Sequence, residues 1–218
     1  MTHTGASSAE VRPTVRGRDT QARLERAARE VIARKGFFKT TITDITSAAK
    51  RSPASFYHYF ESKEDLLAAL AEEFRSTAKN RAAQAVHPGQ DLAEIIENSV
   101  RAHWQTYREH LGVMVGVFQL AMINEEFARR WRDMCADAID GVAHTVRMAQ
   151  RKGYAPDADP ELVGSAIVAM LNHFTYIWLV DGGDVAGREL DEEAAIKTLT
   201  DTWYRSVSWR DPSAPAKE

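Results

Sequence analysis

From Thr20 onward, apolar residues recur three and four positions apart almost without interruption. No stretch alternates apolar and polar residues over a useful length, so the chain reads as all-α. The first helix carries Leu24, Ala27, Ala28, Val31 and Ile32 on one face and stops at Gly36, which reaches positive φ without a Cβ penalty. Phe37 and Phe38 follow and are expected to tuck under the next helices. Thr41, with Asp44 three residues on, has the form of a capping box opening a short helix over 42–49. Ser52 caps a second short helix over 53–60, with Pro53 at its first position, where a missing N–H is harmless. Ser62 and Asp65 open a longer helix through Leu66, Leu67, Leu70 and Phe74, broken by His87-Pro88-Gly89.

Five more helices are expected, one capped by Asp91 with an apolar face from Leu92 to Tyr107 and four over about 111–122, 125–152, 160–180 and 191–209, making nine in all. The segment 160–180 is apolar nearly all round, so both of its faces are expected to be covered. Residues 1–19 and 211–218 lack periodicity and read as a disordered basic arm, carrying Arg12, Arg16 and Arg18, and a disordered tail. The expected organisation is thus an arm (1–19), a three-helix domain (20–65), a larger helical domain (66–210) and a tail (211–218).

Composition adds exclusions. With 218 residues, 44% hydrophobic and 27% charged, the chain is ordinary globular material, and its single Cys135 cannot form an internal disulfide. The first twenty residues hold no apolar run, so no secretory leader is expected. The stretch 162–180 is long enough for a bilayer, but Ser165, Asn172, His173 and Thr175 interrupt it and no Lys/Arg anchors flank it. It reads as a buried helix of a cytoplasmic protein without a membrane partner.

Net charge is −3, which on average argues weakly against a nucleic-acid partner. The average hides a split. Through Lys63 there are twelve Lys and Arg against six Asp and Glu, or +6; beyond it sixteen stand against twenty-five, or −9. A basic front on an acidic body suggests an anionic partner for the front alone.

That front holds two short helices joined by a turn of about three residues, the helix-turn-helix arrangement whose second helix can enter a DNA major groove. Ser52 and Ser55 place hydroxyls at the second helix's start, Tyr57, His58 and Tyr59 place donors a turn later, and Lys50, Arg51 and Lys63 flank them with cations. A cation is unfavourable at a helix start, so Lys63 is expected to have a phosphate partner.

The run from Thr41-Ile-Thr-Asp-Ile through Ala48-Ala49, Ser52 and Phe56-Tyr-His-Tyr-Phe60 to Ser62-Lys-Glu-Asp-Leu-Leu67 resembles the N-terminal domain of TetR-family transcriptional regulators. The resemblance covers about residues 20–70 and implies a ligand-responsive, non-enzymatic DNA-binding regulator, more often a repressor, acting as a homodimer on double-stranded DNA. It implies phosphate contacts for Thr43, Tyr57, His58 and Lys63, base contacts for Pro53, Ala54 and Ser55, and places Thr41, Lys50, Arg51, Ser52 and Tyr59 in the same interface. Two departures stand out. The family's Gly-aliphatic turn is Lys50-Arg51, which puts a lysine at an αL-prone position, and its Lys/Arg-Gly pair is Pro53-Ala54. Shape readout, or arginines of the arm in a minor groove, is expected to supply part of the specificity.

In the body, His103, Trp104, Tyr107, Met114, Phe118 and Met122, with Trp131 and Met134, form an aromatic and methionine set suited to a plastic apolar cavity. Asn172, His173 and Tyr176 are added from the apolar helix. A small hydrophobic or amphipathic effector, such as a lipid-derived acid, suits that lining. Core packing is the alternative for each residue singly. No i, i+4 ligand pair marks a metal site, and neither a metal nor another cofactor is expected. An enzyme using His103 and His173, or a module binding an acidic protein, are the rival readings. The last two helices are the dimer candidates, through Met170, Phe174, Ile177 and Trp178 on one and Leu199, Trp203 and Val207 on the other.

Overall fold

The computed structural model describes residues 15–209. Among them are nine helices and no strand: α1 (Val15–Lys35), α2 (Ile42–Ala48), α3 (Pro53–Tyr57), α4 (Lys63–Ala85), α5 (Leu92–Glu109), α6 (Leu111–Ala121), α7 (Glu125–Arg151), α8 (Pro160–Val180) and α9 (Glu192–Val207). The chain divides into two compact units, Met1–Leu66 and Leu67–Glu218. The basic arm up to residue 14 and the tail from 210 lie outside the described residues.

In the first unit, the apolar stripe of α1 forms the core: Leu24, Ala28, Val31 and Ile32 are at most 1% exposed. Gly36 ends the helix at φ +75°. The helix also begins earlier than the stripe, at Val15, so residues 15–19 are helical and not part of an irregular arm. An i, i+4 ion pair between Asp19 and Arg23 (2.9 Å) supports that extension, which hydrophobic periodicity does not report. Phe37 is buried as expected, but Phe38 is 54% exposed and makes an edge contact with Phe37. The chain turns between them, and only one of two adjacent side chains can face inward.

The second unit is built on α5, α7, α8 and α9. Asp91 and Glu94 close a capping box at the start of α5. Ile96, Val100 and Trp104 of α5 meet Val142 and Val146 of α7, Ile167 and Leu171 of α8, and Ile196, Leu199 and Trp203 of α9 in one core. Arg101–Glu193 (2.8 Å) and Arg108–Glu192 tie α9 to α5 at the rim, and Arg75 of α4 meets Asp137 of α7 at 2.5 Å.

This packing overturns much of the expected dimer face. Trp178, Leu199, Trp203 and Val207 are all 9% exposed or less within the single chain, and Met170, Phe174 and Ile177 pack against the same core. An amphipathic stripe shows that a face is buried without showing what buries it, and here α5 does so for α9. The expected double cover of α8 is also incomplete, because Leu162, Ser165, Ala166, Ala169 and His173 form an exposed stripe. α8 is the one described helix long and apolar enough to cross a membrane, and a third of its apolar window is buried.

α7 and α8 come close together at Gly164, where an added Cβ would lie 2.9 Å from the Ile139 carbonyl oxygen and 3.1 Å from its Cγ2. Gly141, also helical, faces open space. Gly164→Ala is therefore expected to destabilise the fold by about 1–3 kcal/mol through forced separation of two helices. Gly141→Ala is expected to stabilise it by up to about 1 kcal/mol through helix propensity. Chemical denaturation of the two variants checks the contrast.

Candidate nucleic-acid interface and cavity

The reading head begins at a tightly specified helix start. Asp44 accepts from the Thr41 N–H (3.0 Å) and hydroxyl (2.8 Å), while its own N–H donates back to Thr41 Oγ1 (3.1 Å). Lys35 Nζ donates to the same carboxylate at 2.6 Å. The Lys35 hydrogen bond, followed by those from Thr41, holds the Asp44 carboxyl down to about 2. α1 and α2 are thereby joined by a charge-assisted bond at the edge of the exposed face.

The turn between α2 and α3 takes the strained form that its sequence implies. Lys50 sits at φ +53°, and Arg51 donates its N–H to the Thr46 carbonyl (2.9 Å) and its guanidinium to the Lys50 carbonyl (3.1 Å). Ser52 accepts from the Ser55 N–H at 3.2 Å, so its hydroxyl oxygen is engaged as a cap. Regular helix in α3 ends at Tyr57, short of the expected 53–60, although the Phe60 N–H still reaches the Phe56 carbonyl at 3.0 Å.

Side-chain directions sort this segment into two faces. Phe56 and Phe60 are 0% and 4% exposed, and Tyr59 is half-buried beside His58, the rings 4.9 Å apart. Thr41, Thr43, Lys50, Ser52, Pro53 and Ala54 are exposed, with Arg51 and Ser55 partly so. Tyr57 is 59% exposed and His58 stands outward next to it. A large phenol held out of an available core, among hydroxyls and cations, is the composition that duplex phosphates select.

Lys63 differs from its expectation. Its Nζ donates to the carbonyls of Phe37 (3.1 Å) and Thr40 (3.0 Å) and lies 4.4 Å from the Phe37 ring centroid. A cation at the start of α4 is thus accounted for by carbonyls of the loop between α1 and α2, and needs no phosphate to explain it. Sequence separation of 26 and 23 residues put those partners out of view.

The second unit holds a cavity of about 280 Å³. Tyr107 of α5, Phe118 of α6, Trp131 of α7, and Asn172, His173 and Tyr176 of α8 line it, all of them expected. Cys135, expected as a small buried residue beside the aromatic stripe, lines it as well, as do Ile139, Ser165, Val168 and Ala169, none of them among the expected lining residues. Their signal was spacing, since 131, 135 and 139, and likewise 165, 169 and 173, succeed one another four apart on one helix face. Small side chains form a cavity by leaving space, which a hydrophobic pattern does not mark.

The remaining expected lining residues go elsewhere. Trp104 is wholly buried in the core against α9, and Met114 and Met134 pack with Phe74 and Tyr107 in a separate cluster. Met122 is 67% exposed at the end of α6. His103 stays off the wall, its ring 5.7 Å from that of Tyr107. Its Nε2 is buried without a hydrogen-bond partner, and burial pushes the imidazole down to about 4. Burial, reinforced by Tyr176 and Cys135, pushes the Tyr107 phenol above its usual range, and burial likewise raises the Cys135 thiol, to whose Sγ Asn172 donates at 3.8 Å. Among the described residues no three His, Cys, Asp or Glu side chains gather as metal ligands.

A helix-turn-helix head with an outward polar face, on a chain whose helical second unit holds a largely apolar cavity, is the arrangement of a DNA-binding regulator. Residues 25–70 match the family "Bacterial regulatory proteins, tetR family". That match covers about a fifth of the chain and makes its first unit similar to the TetR family of transcriptional regulators. The chain is 23% identical over 208 residues to the HTH-type transcriptional regulator EthR of Mycolicibacterium smegmatis, covering 95% of this chain and 94% of that one. With UidR of Escherichia coli it shares 24% over 176 residues, 81% of this chain and 86% of the relative.

Solved structures show the same fold. A transcriptional regulator from Saccharomonospora viridis in complex with choline has a TM-score of 0.77 at 21% identity, covering 88% of this chain and all of that one. The fatty acid degradation regulator FadR from Bacillus halodurans gives 0.70 at 18%, covering 84% and 94%.

Two outcomes follow from these geometries. Lys50→Gly is expected to stabilise the chain by about 0.5–1 kcal/mol, the αL strain relieved less the entropy a glycine loses on folding; a denaturation midpoint that falls would contradict the strain. For His103, the folded value near 4 lies below the ordinary 6.5, so the unfolded chain binds the extra proton. Stability is full above pH 6.5 and declines as pH falls towards 4, by about 3 kcal/mol for this group. His103→Leu should flatten that part of the stability–pH curve.

Proposed function

We propose that this regulator is an effector-responsive repressor which binds a palindromic operator as a homodimer and lets go when a small molecule fills the cavity. The observation that carries the DNA half is the exposed face formed by Thr43, Lys50, Pro53, Ala54, Tyr57 and His58 over a buried Phe56–Phe60 floor. Lys50, Tyr57 and His58 meet phosphates, while Pro53, Ala54 and Ser55 approach base edges. Three such small side chains offer few hydrogen bonds to bases, so groove shape contributes to the choice of site. Lys63 acts chiefly by fixing the loop between α1 and α2, with its remaining N–H available to a phosphate.

The effector half rests on the apolar wall and on its separation from the reading head in sequence. A lipid-derived acid fits that wall poorly, because no Lys or Arg is among the lining residues to meet a carboxylate. The dimer face moves from the Met170–Trp178 and Leu199–Val207 stripes of α8 and α9 to the uncovered face of α8, where Leu162 is 70% exposed. The site of action is the cytoplasm, where an operator is found.

Duplexes selected from a random pool by the purified chain provide the test. Binding is expected to involve two chains per duplex and to weaken steeply with salt. Lys50→Gly should lower the log–log salt slope by about one while leaving the fold intact, and Tyr57→Phe should weaken binding to all sequences alike. No duplex retained above non-specific background would overturn the proposal.

A further inference from the structure

We propose that the cavity recognises a compact organic cation, of the quaternary or tertiary ammonium class, through the faces of aromatic rings. This rests on the effector reading above and names the chemistry of that site. Three rings from three helices surround the space: Phe118 lies 5.1 Å from Trp131 at an interplanar angle of 56°, and 6.2 Å from Tyr176 at 50°. Tyr107 comes from a fourth helix. Inclined rings do not cover one another's faces as a parallel stack would, so each leaves part of its π surface uncovered by its neighbour.

The rest of the wall decides which ligand those faces suit. No Asp, Glu, Lys or Arg is among the lining residues. A metal ion or a primary ammonium is strongly hydrated and would lose that hydration without gaining a carboxylate. A methylated ammonium is weakly hydrated, presents an apolar surface, and still carries the charge that a ring quadrupole attracts; such cages are a known use of cation–π binding. An anion would meet the negative faces of the rings with no cation to offset them. At about 280 Å³ the space is at or below the low end for drug-sized ligands, so the cation is small. Asn172, Ser165 and His173 supply hydrogen-bonding groups for a hydroxyl or carbonyl on the same molecule.

Isothermal titration of the full chain with cation–isostere pairs isolates the charge. Tetramethylammonium, choline and benzyltrimethylammonium are each compared with the neutral carbon isostere, which for choline is 3,3-dimethylbutan-1-ol. At least one cation is expected to bind tenfold or more tightly than its isostere. Trp131→Leu, which keeps apolar bulk but removes a π face, should bring that ratio to within threefold while retaining the isostere. Phe118→Leu serves the same end if the tryptophan variant melts early. Equal affinities across every pair, tighter binding of decanoate than of any cation, or an unchanged ratio in both leucine variants would overturn the cation site. Charge-selective binding that leaves the operator complex intact would instead overturn the effector reading and keep the cation site.

Discussion

The constraint on which the second unit's cavity depends is the approach of α7 to α8 at Gly164, where an added methyl group would meet the Ile139 backbone. Much of the cavity depends on it. The face of α7 carrying Trp131, Cys135 and Ile139 and the face of α8 carrying Ser165, Val168 and Asn172 are set opposite each other by that crossing. Once the two helices are fixed at one point, small residues beside it leave space, and the aromatic residues further along line that space. An interior packed to ordinary density would otherwise fill such a gap with side chains.

In the first unit the corresponding constraint is polar. Thr41, Asp44 and Lys35 lock the start of α2 to the end of α1, and Lys63 closes the intervening loop from the other side. The strained turn at Lys50 then sets where α3 begins. These contacts leave the outward face of α3 without structural duties, which is the condition for a surface that another molecule can use. The acidic remainder of the chain repels phosphate, so charge directs a duplex to the head.

Much of this was legible in the sequence because its causes are local. The capping boxes at Thr41 and Asp91, the stop at Gly36 and the inward Phe56 and Phe60 follow from spacing and residue chemistry within one or two turns, as does the αL lysine at position 50. What stayed hidden depends on partners distant in the chain. The Lys63 ammonium looks unaccounted for until the Phe37 and Thr40 carbonyls come beside it. Leu199, Trp203 and Val207 look like an interface until α5 covers them. Ser165 and Ala169 look like filler, because their contribution is the volume they leave empty.

We infer that duplex DNA is received by the exposed face spanning Thr41 to Tyr59. Hydrogen–deuterium exchange of the full chain, with and without a duplex it has selected, tests that most directly. Slowed exchange is expected in peptides covering residues 41–63, with those from α7 and the middle of α8 unchanged. Protection that spares 41–63, or falls first on the acidic second unit, would contradict it.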